Sequence, residues 1–174
     1  MGGGGEIKHK SIKYKIIYNG EFMIINFKKL IKYIIITFLI GSLFAVFVND
    51  TDFYNRLNKG IDVPSIVFPI VWSILYLIMG ITSYIVSSSK DISKNDALKI
   101  YFIQLVVNSL WTLLFFGFKL LTFSFIWIIF LIVLVVIMII KFYTINKLSG
   151  ILNIPYLFWL LFAAYLNLSI VILN

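Results

Sequence analysis

The sequence predicts an all-α integral membrane protein, a bundle of five transmembrane helices, and three observations support this fold class. Of the 174 residues, 61% are hydrophobic and only 13% are charged, and the mean hydropathy is +1.03. Soluble domains are about 45–50% apolar and about 25% charged, so lipid must be the solvent for much of this chain. The apolar residues also fall into stretches that reach the roughly 20 residues needed to cross a bilayer.

Five such stretches are predicted to span the membrane, and their charged residues lie only at their ends. They cover residues 30–48, 65–87, 98–118, 122–140 and 151–173. Lipid offers backbone N–H and C=O groups no partner, so each stretch is expected to be helical despite its β-branched residues. The connections are short, which predicts antiparallel neighbours in one bundle, and residues 23–174 are taken as a single domain without internal repeats.

Residues 1–22 are predicted to be a non-native or disordered extension. The segment begins with Met1 and four glycines, which resembles translated purine-rich DNA. Gly20 and Glu21 stand shortly before Met23, and a Gly-Glu codon pair can encode a ribosome-binding site. We therefore expect the native chain to begin at Met23, and N-terminal sequencing of the natively expressed protein would test this.

The net charge of +8 favours a membrane topology signal over nucleic-acid binding. Seven of the fifteen Lys and Arg residues lie at or before position 32, beside the first apolar stretch. With the N-terminus inside, twelve basic residues fall on the inner side and three on the outer side, which are Arg56, Lys59 and Lys119. Without residues 1–22 the ratio is eight to three. An abundance of Ile, Lys, Asn, Phe and Tyr indicates an AT-rich genome, so we expect a bacterial cell membrane with a cytoplasmic N-terminus.

The composition also excludes several kinds of site. The chain has no cysteine, which rules out disulfides, thiolate metal sites and cysteine nucleophiles. Its one histidine, His9, lies in the doubtful extension. No acid–base pair or activated nucleophile falls within the apolar stretches, so no catalytic residue, metal site or obligate cofactor is predicted.

Polar residues and tryptophans form one stripe on each of three predicted spans. Spacings near three and four place residues on one helix face. The stripe of the second span is Trp72, Tyr76, Met79, Gly80 and Ser83, and that of the third is Gln104, Asn108, Trp111 and Phe115. The stripe of the fifth span is Pro155, Trp159, Ala163 and Asn167. The first span has Thr37 with the small pair Gly41 and Ala45, which suits close packing. The fourth has no polar residue after Ser124 except Trp127, so it is predicted to be a lipid-facing wall.

Two interpretations of these stripes remain open at this stage. Membrane tryptophans often form an interfacial belt, but Trp72 and Trp111 lie roughly 10 Å inside the outer end of their helices, and Trp159 lies deeper. The side chains of Asn108 and Asn167 could equally form hydrogen bonds between helices that hold the bundle together. The alternative is a pocket, because indole faces and a few polar groups suit a large, flat, mostly apolar ligand.

Three motifs on these same stretches resemble the tryptophan-rich sensory proteins, also called the translocator protein or peripheral benzodiazepine receptor family (TspO/MBR). The resemblance runs from Tyr54 to the C-terminus. The second span has Pro69-x-x-Trp72 followed by Leu75-Tyr76 and Met79-Gly80; the third has Asn108-Ser-Leu-Trp111 and Phe115-Phe116-Gly117; the fifth has Pro155-Tyr156-Leu-Phe-Trp159, Phe162-Ala163 and Leu166-Asn167. Three ordered motifs on three spans are a specific signal.

The resemblance implies five helices, commonly a homodimer, and a pocket that binds porphyrins, haem and isoquinoline or benzodiazepine-type ligands. The family's pocket residues correspond here to Trp72, Asn108, Trp111 and Trp159, and more weakly to Tyr54, Tyr76, Phe115 and Ala163. The first loop departs from the family pattern, since residues 59–66 read Lys-Gly-Ile-Asp-Val-Pro-Ser-Ile and lack the loop tryptophans. The chain after Asn167 lacks the aromatic and basic residues of the animal cholesterol motif, so cholesterol recognition by that element is not expected.

Three functions follow as hypotheses. The first is a membrane receptor or sensor that binds tetrapyrroles, with Trp72 and Trp159 stacked on the ring and Asn108 reaching a polar group. The second is light- and oxygen-dependent porphyrin degradation, which some family members are implicated in. The third is porphyrin transport, and it is the least favoured because the chain shows no repeat and only Pro69 and Pro155 interrupt its helices.

Overall fold

A computed structural model of the chain describes residues 13–18, 21–45, 48 and 51–174. In this part of the chain an antiparallel hairpin of β1 (Lys13–Tyr18) and β2 (Glu21–Asn26) precedes the helices. The helices are α1 (Phe27–Gly41), α2 (Thr51–Arg56), α3 (Val67–Ser88), α4 (Lys94–Thr112), α5 (Leu121–Ile145), α6 (Lys147–Ile151) and α7 (Ile154–Leu173). A π-helical turn, Leu113–Gly117, continues α4. The predicted α-helical class is confirmed.

Four helical segments of the described chain are long and apolar enough to cross a membrane. They are Val67–Ser88, Lys94–Gly117, Leu121–Ile145 and Lys147–Leu173, and they correspond to the second to fifth predicted spans. Three of their ends lie four or five residues outside the predicted bounds, and the last segment begins at Lys147, four residues before 151. The segment over α5 continues five residues past 140, because Lys141 and Thr144 remain helical, and the segment over α4 begins four residues before 98.

The first predicted span, residues 30–48, is shorter as a helix than the sequence suggests. Helix α1 has 15 residues, about 22 Å at 1.5 Å per residue, whereas the hydrocarbon core is about 30 Å thick. The Tyr76 hydroxyl donates to the Gly41 carbonyl at 2.8 Å, and the Ala45 N–H bonds instead to Ser42 at 3.0 Å. The Gly41 carbonyl thus accepts a hydrogen bond from a side chain of α3, and the Ala45 N–H, which would bond to it in a continuing α-helix, bonds to Ser42.

The fifth predicted span, residues 151–173, is divided into α6 and α7. Pro155 lies in the first turn of α7. A proline is tolerated there because the first N–H groups of a helix have no intrahelical partner, but it cannot donate the hydrogen bond that would continue a preceding helix. The Asn153 amide nitrogen bridges the break, since it donates to the Ser149 carbonyl at 2.7 Å and to the Thr82 hydroxyl at 2.9 Å. The break is therefore stabilised from α3.

Helices α1 and α3 approach each other closely, and α5 packs against both α4 and α7. A Cβ on Gly80 would lie 2.8 Å from the Ile34 Cα, so only glycine allows this approach of α3 to α1. Buried polar bonds join other helices: Tyr156 donates to Gln104 at 2.9 Å, and Trp127 donates to the Val107 carbonyl at 2.8 Å. The predicted wall helix α5 exposes one face and buries the other, where the buried residues are Ile128, Leu131, Leu134, Val135, Met138 and Phe142.

Two lysines cap the end of α3 on the predicted inner side. Lys29 donates to the Ser87 carbonyl at 2.9 Å, and Lys94 donates to the Ser89 carbonyl at 2.8 Å. Cations at a helix C-terminus are favourable because they meet the negative end of the helix dipole.

The hairpin contains the predicted start of the native chain. Met23 lies in β2, opposite Ile16 of β1, while residues 1–12, including His9, are outside the described residues. The start at Met23 and the boundary between residues 22 and 23 stay predictions.

Candidate functional site: an aromatic cavity between the helices

A cavity of about 490 Å³ lies where α3 begins and where α4 and α7 end. It is bounded by α1, the turn after it, α2 and the loop that precedes α3. Seven of the eight residues predicted for the site line it, namely Tyr54, Trp72, Tyr76, Asn108, Trp111, Phe115 and Ala163. The stripes on the second and third predicted spans therefore face one common space.

Trp72, Tyr76 and Asn108 form one hydrogen-bonded and stacked wall of the cavity. The ring planes of Trp72 and Tyr76 lie 30° apart with centroids separated by 5.4 Å. The Asn108 amide nitrogen donates to the Tyr76 hydroxyl at 3.1 Å, and that hydroxyl donates to Gly41. The tyrosine ring is thus fixed at its oxygen and along its face, which holds Trp72 in a defined orientation.

The π-helical turn shapes the wall that belongs to α4. The Phe118 N–H bonds to the Leu113 carbonyl at 2.9 Å, five residues back. Such a turn inserts one residue into the helical register and is frequent at functional sites. Phe115 and Phe116 both line the cavity, and Phe115 stacks on Trp111 with centroids 5.1 Å apart and planes at 22°.

Tyr54 on α2 closes the cavity from the loop side. Its ring meets the Phe68 ring edge-on at 5.5 Å, and the Lys59 ammonium lies 4.5 Å from the Tyr54 ring centroid. Burial, and then the charge of Asp62, raise the pKa of Tyr54 above its ordinary value. The phenol is therefore neutral at physiological pH.

The loop after α2 is fastened to the end of α7. The Asn58 N–H donates to the Asn174 side-chain oxygen at 3.0 Å, and the Asn174 amide nitrogen donates to the Asn58 carbonyl at 2.9 Å. The Gly60 N–H donates to the Ser169 hydroxyl at 3.4 Å. These bonds attach the loop to α7 although it lacks the family tryptophans, and Ser65 and Ile66 at its end line the cavity.

Trp159, the eighth predicted residue, lies outside this cavity. It lines a shallower apolar groove between α3 and α7, together with Val71, Ile74, Leu75, Ile78, Pro155, Phe158 and Phe162. Its ring contacts the Phe68 ring edge-on at 6.0 Å. A step of four residues turns about 40° around a helix, since each residue turns about 100°. The stripe on α7 thus winds away from the cavity between Asn167 and Trp159.

Asn167, which belongs to the predicted stripe on the fifth span, also lines the cavity, although it is not one of the eight predicted site residues. Its amide nitrogen donates to the Ser124 hydroxyl of α5 at 3.2 Å. Asn108 likewise bonds to Tyr76 of α3. Both asparagines therefore make interhelical hydrogen bonds and also line the cavity.

Other lining residues were not predicted. Phe38 and Ser42 come from the first span, and Phe68 and Thr112 come from the residues beside the motifs. Phe38 and Ser42 are four apart and directly follow Thr37 and Gly41 in the sequence, so the pattern of small and polar residues on this span is the available signal. That pattern was interpreted as packing alone.

The lining is neutral. None of the described residues that line the cavity is acidic, basic, histidine, cysteine or methionine, and the described part of the chain has no group of three metal-ligating side chains. The lining consists of aromatic and aliphatic side chains with a few amide and hydroxyl groups. Such a lining suits the apolar faces of a flat ligand rather than a bound ion.

Comparison with known proteins agrees with this geometry. The sequence profile described as the TspO/MBR family matches residues 33–173. The chain belongs to the TspO/MBR family. Protein CrtK of Rhodobacter capsulatus is 33% identical over 124 residues, which cover 70% of this chain and 78% of that protein.

Two further TspO/MBR relatives show similar agreement. The tryptophan-rich sensory protein of Cereibacter sphaeroides is 32% identical over 124 residues, 71% of this chain and 77% of that protein. The tryptophan-rich protein TspO of Archaeoglobus fulgidus is 35% identical over 111 residues, 64% of this chain and 72% of that protein. Family membership and the four apolar helices establish an integral membrane protein.

Proposed function

We propose that this TspO/MBR chain is a membrane receptor or sensor that binds tetrapyrroles, such as protoporphyrin and haem, and isoquinoline or benzodiazepine-like ligands. The observation that supports this most is the cavity of about 490 Å³ with its aromatic, uncharged lining. Its volume falls in the range of roughly 300–1,000 Å³ typical of small-molecule sites. The name of the Cereibacter sphaeroides relative, tryptophan-rich sensory protein, agrees with a sensing role.

The proposal includes the arrangement in the membrane. The described helices supply four crossings, and α1 with the turn up to Val48 would supply the fifth, since residues 27–48 reach the length that one crossing needs. The charge ratio of the loops favours a cytoplasmic N-terminus in a bacterial cell membrane. The family resemblance favours a homodimer.

The ring of a tetrapyrrole fits the lining better than its metal does. Trp72 and Trp111 would supply the aromatic contacts to a macrocycle, and Asn108 would supply an amide group, since all three line the cavity. The described lining has no histidine, cysteine or methionine that would ligate iron. We therefore expect similar affinities for metal-free and iron porphyrin, and strict dependence on iron would contradict the proposal.

The test is a porphyrin titration of the purified protein, followed by the porphyrin absorption band. Trp72→Phe should weaken binding about 2- to 10-fold, because an aromatic contact of this kind contributes about 0.5–1.5 kcal/mol. Trp127→Phe is the matched control, since Trp127 lies on α5 outside the cavity lining and bonds to a backbone carbonyl of α4. Absence of porphyrin binding by the wild type would overturn the proposal.

Porphyrin degradation is the alternative function. Trp72 stacks on Tyr76 and meets the Tyr156 ring edge-on at 6.0 Å, so an oxidised Trp72 would have two tyrosines within contact. Degradation would need light, oxygen and a bound porphyrin. Illumination of the protein with protoporphyrin tests it, and unchanged degradation in both Trp72→Phe and Trp159→Phe would remove it. Uptake of porphyrin into vesicles tests the third function, transport.

A further inference from the structure

The two ends of the helical bundle differ in charge. From residue 27 onward, the end near α2 carries three basic and three acidic residues, whereas the end at which α3 stops and α4 begins carries eight lysines and two aspartates. Of these two aspartates, Asp96 pairs with Lys99 at 3.3 Å, and Asp91 accepts hydrogen bonds from Ser93. The end formed by α3 and α4 therefore has a surplus of positive charge.

Two of these lysines, Lys29 and Lys94, are held beside each other at the last residues of α3. The Lys29 ammonium donates to the Ser87 carbonyl at 2.9 Å and to the Ser88 hydroxyl at 3.2 Å, and the Lys94 ammonium donates to the Ser89 carbonyl at 2.8 Å. Neither lysine forms a salt bridge within the described part of the chain. Since an ammonium has three N–H donors, one donor of Lys29 and two of Lys94 are left for an anion.

An isoleucine lies fully exposed in the loop between these two lysine contacts. Ile92 is 99% exposed, although the loop around it is well fixed. The Asp91 N–H donates to the Ser89 hydroxyl at 3.1 Å, and Asp91 Oδ1 accepts from the Ser93 N–H at 2.7 Å and from the Ser93 hydroxyl at 2.6 Å. Because these bonds already order the loop, a surface that covers Ile92 gains its apolar area at a low entropic cost.

The lengths of the helices place this loop in the headgroup layer of the bilayer. The segment Val67–Ser88 has 22 residues and Lys94–Gly117 has 24, which correspond to about 33 and 36 Å at 1.5 Å per residue. The hydrocarbon core is about 30 Å thick, and the bilayer with its headgroups is about 40–45 Å thick. The shared end of the two segments, residues 89–93, therefore reaches the depth of the lipid phosphates.

We propose that Lys29, Lys94 and Ile92 form a binding site for the headgroup of an anionic phospholipid. The lipid phosphate accepts hydrogen bonds from the two ammonium groups, and Ile92 inserts at the boundary between headgroups and acyl chains. The surplus of positive charge favours a lipid with a net negative charge, because the cation of a zwitterionic headgroup is repelled by the same lysines. The depth of the loop favours a lipid over an acidic protein from the aqueous phase.

Lipid binding to the detergent-purified protein, measured by native mass spectrometry with phosphatidylglycerol and phosphatidylcholine, tests the two lysines. The wild type should prefer phosphatidylglycerol. The double variant Lys29→Gln with Lys94→Gln should bind it about 25-fold more weakly, since each lysine near a headgroup contributes about 1 kcal/mol, or about 5-fold. Lys99→Gln is the matched control, because Lys99 lies at the same end but pairs with Asp96, and it should change the affinity about 2-fold or less.

Two results would overturn the site. Equal affinity of the wild type for both lipids is one, and a loss in Lys99→Gln as large as in the double variant is the other, because it would show general charge attraction. Lys29→Arg with Lys94→Arg keeps both charges and should retain the preference, which separates loss of binding from poor folding. Displacement of phosphatidylglycerol by inorganic phosphate at equal concentration would identify a free anion as the ligand and overturn the lipid assignment.

A spin label tests the insertion of Ile92. The chain has no cysteine, so Ile92→Cys provides a unique position for a nitroxide, and Asp62→Cys, at a side chain that is 82% exposed, provides the aqueous control. In bilayers that contain phosphatidylglycerol, the label at 92 should collide more with oxygen and less with a water-soluble nickel chelate than the label at 62. Equal access of the chelate to both labels would place Ile92 in water, where a soluble partner rather than lipid would cover it, and would overturn the proposal.

Discussion

Replacing Gly41 with alanine should damage both the stability of the bundle and the cavity. An added Cβ would lie 2.5 Å from Tyr76 Cε1 and 2.7 Å from Tyr76 Cζ, about 1 Å closer than carbon atoms normally approach. The tyrosine ring has little room to move, because it stacks on Trp72 and meets the Phe38 ring edge-on at 5.6 Å. The strain therefore has to move the ring and its neighbours.

The expected loss follows from two contributions. Overpacking costs about 1–3 kcal/mol, and loss of the hydrogen bond from Tyr76 to the Gly41 carbonyl adds about 1 kcal/mol. A total of about 2–4 kcal/mol corresponds to a fall in Tm of roughly 5–15 °C for a chain of this size. Thermal unfolding in detergent micelles, followed by size-exclusion chromatography, measures this fall.

Gly60→Ala is the control for Gly41→Ala. Its added Cβ would lie 3.3 Å from the Ser169 Cβ at an exposed position, where a shift of a few tenths of an ångström relieves the contact. We expect a change in Tm of about 2 °C or less. A Tm for Gly41→Ala as close to the wild type as that of Gly60→Ala would refute the packing argument.

Three further predictions concern single side chains. The raised pKa of Tyr54, caused by burial and then by the charge of Asp62, means that the fold favours the neutral phenol; this contribution is complete below the ordinary pKa near 10 and is lost as the pH rises through the raised pKa. Tm measured between pH 9 and 11 should therefore fall more steeply in the wild type than in Tyr54→Phe, and parallel curves would contradict this. Trp127→Phe should lower Tm by a few degrees, because it removes the hydrogen bond that joins α5 to the Val107 carbonyl of α4, and an unchanged Tm would contradict it. Asn174→Ala should remove both side-chain bonds to Asn58 and raise the rates of ligand binding and release together in stopped-flow measurements, whereas unchanged rates would show that these bonds do not restrain the loop.

The helices and the shared faces of the second and third spans were predictable because membrane chemistry restricts the choices. Without water in the bilayer, a long apolar stretch has to be helical, and polar side chains turn inward. Trp72, Tyr76, Asn108 and Trp111 follow this logic and meet in the cavity. The helical period alone was enough to group them.

Tertiary contacts account for what the sequence did not predict. At the end of α1 the Gly41 carbonyl accepts a hydrogen bond from the hydroxyl of Tyr76, which lies 35 residues later in the chain. The division of the fifth span needs the bridge from Asn153 to Thr82 of α3. Trp159 lies outside the cavity because residues spaced four apart on α7 are rotated about 40° around the helix at each step, so two steps from Asn167 bring the side chain to another face.

The early end of α1 has a consequence for the surrounding bilayer. The helical part of this segment, about 22 Å long, is several ångströms shorter than the hydrocarbon thickness of about 30 Å, so the residues after Gly41 would have to complete a crossing there. The Gly41 carbonyl at this end accepts from the Tyr76 hydroxyl, which in turn accepts from Asn108. A chain of two hydrogen bonds therefore joins the end of α1 to the cavity wall, so affinity measurements on this chain should be compared at one acyl-chain length of the host lipid.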